Sequence, residues 1–182
     1  MKLKHYIIFL SVLAGAVLTD LLTKIFLYGV DSTFLPYIIG FRDAPLNYGA
    51  AWNFLSGHSW VFCVLAVLFV SGVVVFDVFF KYKKPVVYSV GIGFLLAGTL
   101  GNLIDRIFIG GVRDFLFFEF APSFPTFNFA DTCLTIGCIL LAVFMLFLYK
   151  PDEKKKAVAG TPKGTEEVKA EKTKSGGSDG EV

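Results

Sequence analysis

The sequence predicts an all-α membrane protein: four transmembrane helices, a small extracytoplasmic loop with short β-strands, and an interfacial aromatic loop. Three observations carry this. First, 55% of the 182 residues are hydrophobic, Phe alone contributes 21, and the mean hydropathy is +0.67, too apolar for an ordinary soluble domain. Second, four apolar runs have the length of a span, about 20 residues: Tyr6 to about Tyr28, Ser59 to Phe80, Val86 to about Asp105, and Asn128 to Tyr149. Third, the cations alternate. Lys2, Lys4, Lys81, Lys83, Lys84, Lys150 and Lys154 to Lys156 flank one set of span ends, and only Arg42, Arg106 and Arg113 lie in the other two loops. That asymmetry puts both termini in the cytoplasm.

The first run contains Asp20 and Lys24, four residues apart and so on one helical face. They read either as a self-satisfied pair snorkelling to the interface or as support for a site. The run continues well past Ala14-Gly15-Ala16, which argues for a span over a cleaved signal peptide. Residues 29 to 58 form an extramembrane loop in which Pro36 and Gly40 keep any strands short. Within it, Asn47 beside Gly49 suits a turn that presents an amide. Trp60 anchors the second span at the interface, and Asp77 pairs with a lysine of the 81–85 loop. In the third span Gly93, Ala97 and Gly101 recur every four residues and mark a face for close helix contact. Asn102, Asp105 and Arg106 continue toward that span's end and point at neighbouring helices. The aromatic stretch from Phe108 to Phe127 is broken by Gly110, Gly111, Pro122 and Pro125, so it lies in the headgroup region. Asn128 with Asp131 three residues later reads as an N-cap with an acid at N3. Residues 1–149 make the four-span domain, and 150–182, rich in Lys, Glu, Gly and Ser, a disordered charged cytoplasmic tail.

The chemistry concentrates between Gly101 and Asp131, where three aspartates, two arginines and two asparagines stand between apolar runs. Ionisable groups at the end of a span are a functional-site hypothesis by default. The predicted topology gathers Asp20, Asn47, Asp105, Asp114 and Asp131 near the outer face. Asp114 and Asp131 are the candidate catalytic pair: two nearby carboxylates share a proton, so one can deprotonate water while the other polarises a carbonyl. Peptide hydrolysis is one option for such a site. A proton or cation relay is another, and a membrane scaffold a third, although the scaffold leaves the acids unexplained. The other chemistries are weaker. Cys63, Cys133 and Cys138 form no paired motif and read as small buried hydrophobes. His5 and His58 lie outside any zinc motif and have no evident partner, so neither a metal site nor a serine mechanism is expected. No basic patch suggests nucleic acid.

Five blocks, in order, are Asp20-x-x-Thr23-Lys24, Asn47-x-Gly49-Ala50-Ala51-Trp52, Gly101-Asn102-x-x-Asp105-Arg106, Val112-x-Asp114-Phe115 and Phe127-Asn128-x-Ala130-Asp131. Together they resemble the five motifs of the lipoprotein signal peptidase (signal peptidase II) family. The resemblance implies an aspartic endopeptidase of the bacterial cytoplasmic membrane, with no cofactor or metal. Its substrates would be diacylglyceryl-modified prolipoproteins, cut just before the modified cysteine, and globomycin would inhibit it. By motif, Asp114 and Asp131 would be the dyad. Asn47, Gly49, Asn102, Arg106, Asn128 and Ala130 would bind or position the peptide, and Asp20, Lys24 and Asp105 would support the site. The aromatic loop would contact acyl chains or membrane lipid, or serve as an interfacial belt. Arg113 departs from the family pattern, which usually has an apolar residue there, and a cation beside the dyad would lower an aspartate pKa.

Overall fold

The computed structural model describes residues 2–49, 57–79 and 84–149. Ala50, Ala51, Trp52, most of the 81–85 loop and the tail lie outside the described residues. The element order is α1 (Lys2–Leu27), β1 (Ser32–Leu35), β2 (Ile39–Phe41), α2 (Ser59–Phe79), α3 (Val86–Phe108), β3 (Leu116–Phe118) and α4 (Phe129–Val143). One π-helical turn, Phe144–Leu148, extends α4. Among the described residues, four helices are long and apolar enough to cross a membrane.

α3, whose most apolar stretch is the least hydrophobic of the four, is the centre of the bundle. It packs most extensively against α4 and α1 and far less against α2. Small residues make this possible. The Gly93–Ala97–Gly101 face receives α1: a Cβ on Gly93 would lie 2.9 Å from Val12 Cγ1, and Ala97 is buried beside Ala16 and Cys133. The α4 contact is as close, since a Cβ on Gly137 would stand 2.6 Å from the Leu95 backbone nitrogen. A second core, at the other end of the bundle, joins Tyr88, Ile92, Leu96 and Phe144.

That end also corrects the expectation that His5 has no partner. His5 Nδ1 lies 2.7 Å from Ser89 Oγ, and Nε2 lies 3.3 Å from Asp77 Oδ2. Asp77 further accepts from Tyr88 and pairs with Lys84 at 2.8 Å. Ser89 is 1% exposed, so the trio is a packed tie between α1, α2 and α3. The cysteines also depart in part from expectation: Cys133 is buried, Cys63 half-buried and Cys138 exposed. The third span runs to Phe108 rather than ending near Asp105. It closes with the Ile109 and Gly110 amides both donating to the Asp105 carbonyl, Gly110 taking φ +86°.

The loop after α1 and the aromatic loop build one sheet. β1, β2 and β3 are antiparallel in that order, with Ile39 opposite Phe118, Gly40 opposite Phe117 and Phe41 opposite Leu116. The strand at Leu116–Phe118 was not expected in a segment read only as interfacial. Gly40 is required where it stands, because a Cβ would come 2.7 Å from the Phe117 ring. Arg42 stacks on the same ring, 4.1 Å from the Phe117 centroid. Glu119 fixes the β1–β2 turn by accepting from Thr33 Oγ1 and the Tyr37 amide.

Candidate active site

The α4 N-terminus organises the site. Asn128 Oδ1 accepts from the Asp131 amide at 3.0 Å, and Asp131 Oδ2 accepts from the Asn128 amide at 3.1 Å, a reciprocal capping box. The Ala130 amide, another helix-end donor, goes to Asp20 Oδ1 at 2.8 Å. Ala130 itself is fully buried and faces Gly101, so its small side chain lets α4 approach α3 where Asp131 begins.

Asp20 and Lys24 are not a snorkelling pair. Both are 1% exposed. Lys24 Nζ lies 2.8 Å from Asp20 Oδ2 and 3.4 Å from Asp105 Oδ2. It also donates to Asn102 Oδ1 at 3.1 Å. An ammonium can only donate, so it holds the oxygen of the Asn102 amide inward and leaves the Asn102 nitrogen to face Asp131 Oδ1 at 2.8 Å.

Asp114 is presented by a segment anchored residue by residue. Val112 exchanges both backbone hydrogen bonds with Asn47, each 2.9 Å. Phe115 and Leu116 pair with Phe127. Asp114 Oδ2 accepts from Asn47 Nδ2 at 2.9 Å and Oδ1 from Asn128 Nδ2 at 2.6 Å. The Asn47 amide, expected to face a peptide, is therefore aimed at Asp114, while its oxygen takes the Gly49 amide at 3.0 Å. Burial first, and then the Asp131 charge, push the Asp114 carboxyl up to about 6. Arg113 does not lie against Asp114. It turns to Asp105, with Nη2 2.7 Å from Oδ1.

Asp114 and Asp131 open on one cavity of about 520 Å³, together with Asn47, Gly49, Asn102 and Arg106. Arg106 reaches the Gly49 carbonyl at 2.9 Å and lies 4.9 Å over the Phe62 ring. The wall contributed by α2 was missed at the sequence level. Phe62, Leu65, Ala66 and Phe69 form one wall, and their i, i+3, i+4, i+7 spacing was the available signal. Phe124 and Phe127 of the aromatic loop form another part. Asn128 and Ala130 do not line the cavity but stand behind it, as do Asp20, Lys24 and Asp105. A second apolar cavity of about 470 Å³ continues along α2 and α4 beyond Phe69, toward Phe76 and Tyr149.

The family model described as Signal peptidase (SPase) II matches residues 12–147. The chain belongs to the signal peptidase II family. The match takes in all five motif blocks, and membership makes the chain a peptidase; its four helices make it a multi-pass membrane protein. The lipoprotein signal peptidase of Enterococcus faecalis is 43% identical over 118 residues, covering 65% of this chain and 71% of the relative. That of Acinetobacter baumannii is 40% identical, covering 80% and 87%. A solved structure described as a bacterial membrane enzyme superposes with a TM-score of 0.68 at 32% identity, covering 76% of this chain and 92% of that one. Signal peptidase II membership thus agrees with the four membrane-capable helices.

Proposed function

We propose that this signal peptidase is an aspartic endopeptidase that removes the signal peptide from prolipoproteins, cleaving before a diacylglyceryl-modified cysteine. The observation that carries the reading is the shared cavity of Asp114 and Asp131, with Asn128 donating to both. The dyad shares one proton. Its ionised member takes a proton from a water held between the carboxylates, and its protonated member donates to the scissile carbonyl. The hydroxide oxygen bonds to the carbonyl carbon. The tetrahedral species then collapses as a proton passes to the leaving nitrogen and the C–N bond breaks. Substrate filling the cavity excludes further water and holds the shared proton at higher pH than in the open site.

The apolar cleft between α2 and α4 supports the substrate class. It comprises two cavities that share Phe69 in their linings, one holding the dyad and the other reaching Phe76 and Tyr149. An apolar signal segment fits there without leaving the hydrocarbon layer. The exposed aromatics Phe120 and Phe124 belong to the loop after β3, Phe124 lines the cavity, and both suit acyl chains at the headgroup level. The resemblance adds globomycin as an inhibitor and a bacterial inner-membrane location, and the cation asymmetry adds cytoplasmic termini and a site near the outer face.

The test is cleavage of a synthetic prolipopeptide by enzyme purified into lipid, with and without the diacylglyceryl group. Cleavage of the modified peptide before its cysteine, blocked by globomycin and unaffected by chelators, serine acylators or thiol alkylation, is the expected result. Loss of activity with a chelator and recovery with a divalent metal would contradict the aspartic mechanism.

A further inference from the structure

Arg113 precedes Asp114 in the chain, and the structure gives it a specific task. Its side chain grips Asp105 at two points, Nη2 to Oδ1 at 2.7 Å and Nε to Oδ2 at 3.3 Å. Its own amide donates to Asp105 Oδ2 at 3.0 Å. One residue thus ties both its side chain and its backbone to the end of α3, and the next residue is Asp114. A side-on arginine–carboxylate contact is geometrically exacting, which lysine cannot reproduce.

The grip also balances charge. Asp105 is fully buried and also lies 3.4 Å from Lys24, which is paired with the buried Asp20. Two carboxylates and two cations therefore cancel within one cluster. Without Arg113 the cluster carries one uncompensated negative charge, and Lys24 is drawn between Asp20 and Asp105. Lys24 is also the group that orients the Asn102 amide, whose nitrogen holds Asp131. Disturbing Arg113 therefore reaches Asp114 through the backbone and Asp131 through Lys24 and Asn102.

We propose that Arg113 is a positioning residue: by closing on Asp105 it neutralises the buried cluster, fixes the segment that presents Asp114, and keeps Lys24 on Asn102. This rests on the reading of Asp114 and Asp131 as the dyad. Arg113 does not line the cavity, so its loss acts on the chemical step more than on substrate binding. The titratable and charged groups around Asp114 are Asp131 from α4, Lys24 from α1, Tyr28 just after α1, Arg106 and Asp105 from α3, and Arg113 beside it in the chain. Removing a cation from this set makes the carboxylates hold their protons to higher pH.

The experiment compares kcat, KM and the pH profile of prolipopeptide cleavage for wild type, Arg113→Met, Arg113→Lys and the double variant Asp105→Asn/Arg113→Met, normalised to folded enzyme. Arg113→Met should lose at least tenfold in kcat with KM changed less than threefold, and its high-pH limb should move up. Arg113→Lys, with charge restored but the two-point grip lost, should recover part of the rate. The double variant, in which the buried charges balance again, should return the limb toward its wild-type position. If Arg113→Met fails to accumulate, the double variant should accumulate, and its failure to do so would contradict the charge-balance argument. Wild-type kcat and pH profile in Arg113→Met would overturn the proposal. So would Arg113→Met and the double variant being equally slow with an unmoved limb, since that is packing alone. Asp114→Asn run alongside separates the two readings: turnover there removes the dyad assignment, whereas inactivity there with an unaffected Arg113→Met removes only the role of Arg113.

Discussion

Asn128 donates its side-chain amide to Asp114 Oδ1 at 2.6 Å while its backbone amide donates to Asp131. One residue therefore sets the relation between two carboxylates that lie seventeen positions apart in sequence, and it does so from the N-cap of the helix that carries one of them. Each of its side-chain groups is used: the oxygen takes the Asp131 amide, and the nitrogen serves Asp114 and Asn102.

Asn128 variants should consequently separate capping from dyad alignment. Asn128→Ser keeps an acceptor for the cap and should retain most of the helix-end stability, of order 1 kcal/mol. It cannot donate as the amide does to both Asp114 and Asn102, so cleavage should fall about 100-fold. Thermal unfolding and turnover measured on the same samples check this. Rate and stability falling together in equal proportion would mean that the cap alone matters.

A pH dependence follows from Asp114. Its carboxyl is raised from 3.8 to about 6 by burial and by Asp131. The folded state then binds the proton more tightly than the unfolded chain, so this contribution to stability is complete below the unfolded pKa. It is lost as pH rises through about 6. Asp114→Asn should flatten the fall in Tm over that window and raise Tm at pH 7, measured by thermal unfolding in lipid nanodiscs at several pH values. Asp131→Asn should bring the Asp114 titration down, visible in its infrared carboxyl band. An unchanged band would mean that the two carboxylates do not sense each other.

Much of this was legible in the sequence, for physical reasons. Spans are local facts of ~20 consecutive residues, and the Asn128 cap is a local fact of four, Asn128 to Asp131. The Gly93–Ala97–Gly101 face is a fact of helical period. What was not legible depends on distant partners. Nothing in Leu116–Phe118 announces β2 as its neighbour. The spacing of Asp20 and Lys24 is the same whether the pair meets water or Asp105. Arg113 adjoins Asp114 in sequence, yet the chain turns its guanidinium to Asp105. His5, Asp77 and Ser89 meet only once three helices are packed.

The glycine contacts predict a paired outcome. Gly137→Ala places a Cβ against the Leu95 backbone, which cannot move aside as a side chain would, and Gly15 has nothing within 4 Å. Gly137→Ala should destabilise by about 1–3 kcal/mol and lower Tm clearly, while Gly15→Ala should be neutral. Equal Tm values for the two variants would contradict the close α3–α4 packing.

The family match ends at residue 147, and every group named at the site lies at or before Asn128 or within the first turn of α4. Truncation after Lys156 should leave cleavage rate and globomycin sensitivity unchanged per inserted enzyme. Removal of Lys150 to Lys156 as well should lower the yield of inserted protein, since cations beside a span help to fix its end. A tenfold rate loss from the shorter truncation would assign the last residues a part in catalysis.

The most direct test of the account is turnover by Asp114→Asn and Asp131→Asn, each quantified against inserted, folded enzyme. Each substitution removes one half of a proton-sharing pair while nearly preserving side-chain shape. Each variant should insert and fold yet lose at least about 100-fold in prolipopeptide cleavage. Folded protein that keeps a tenth or more of wild-type turnover in either variant would contradict the assignment of that aspartate to the dyad.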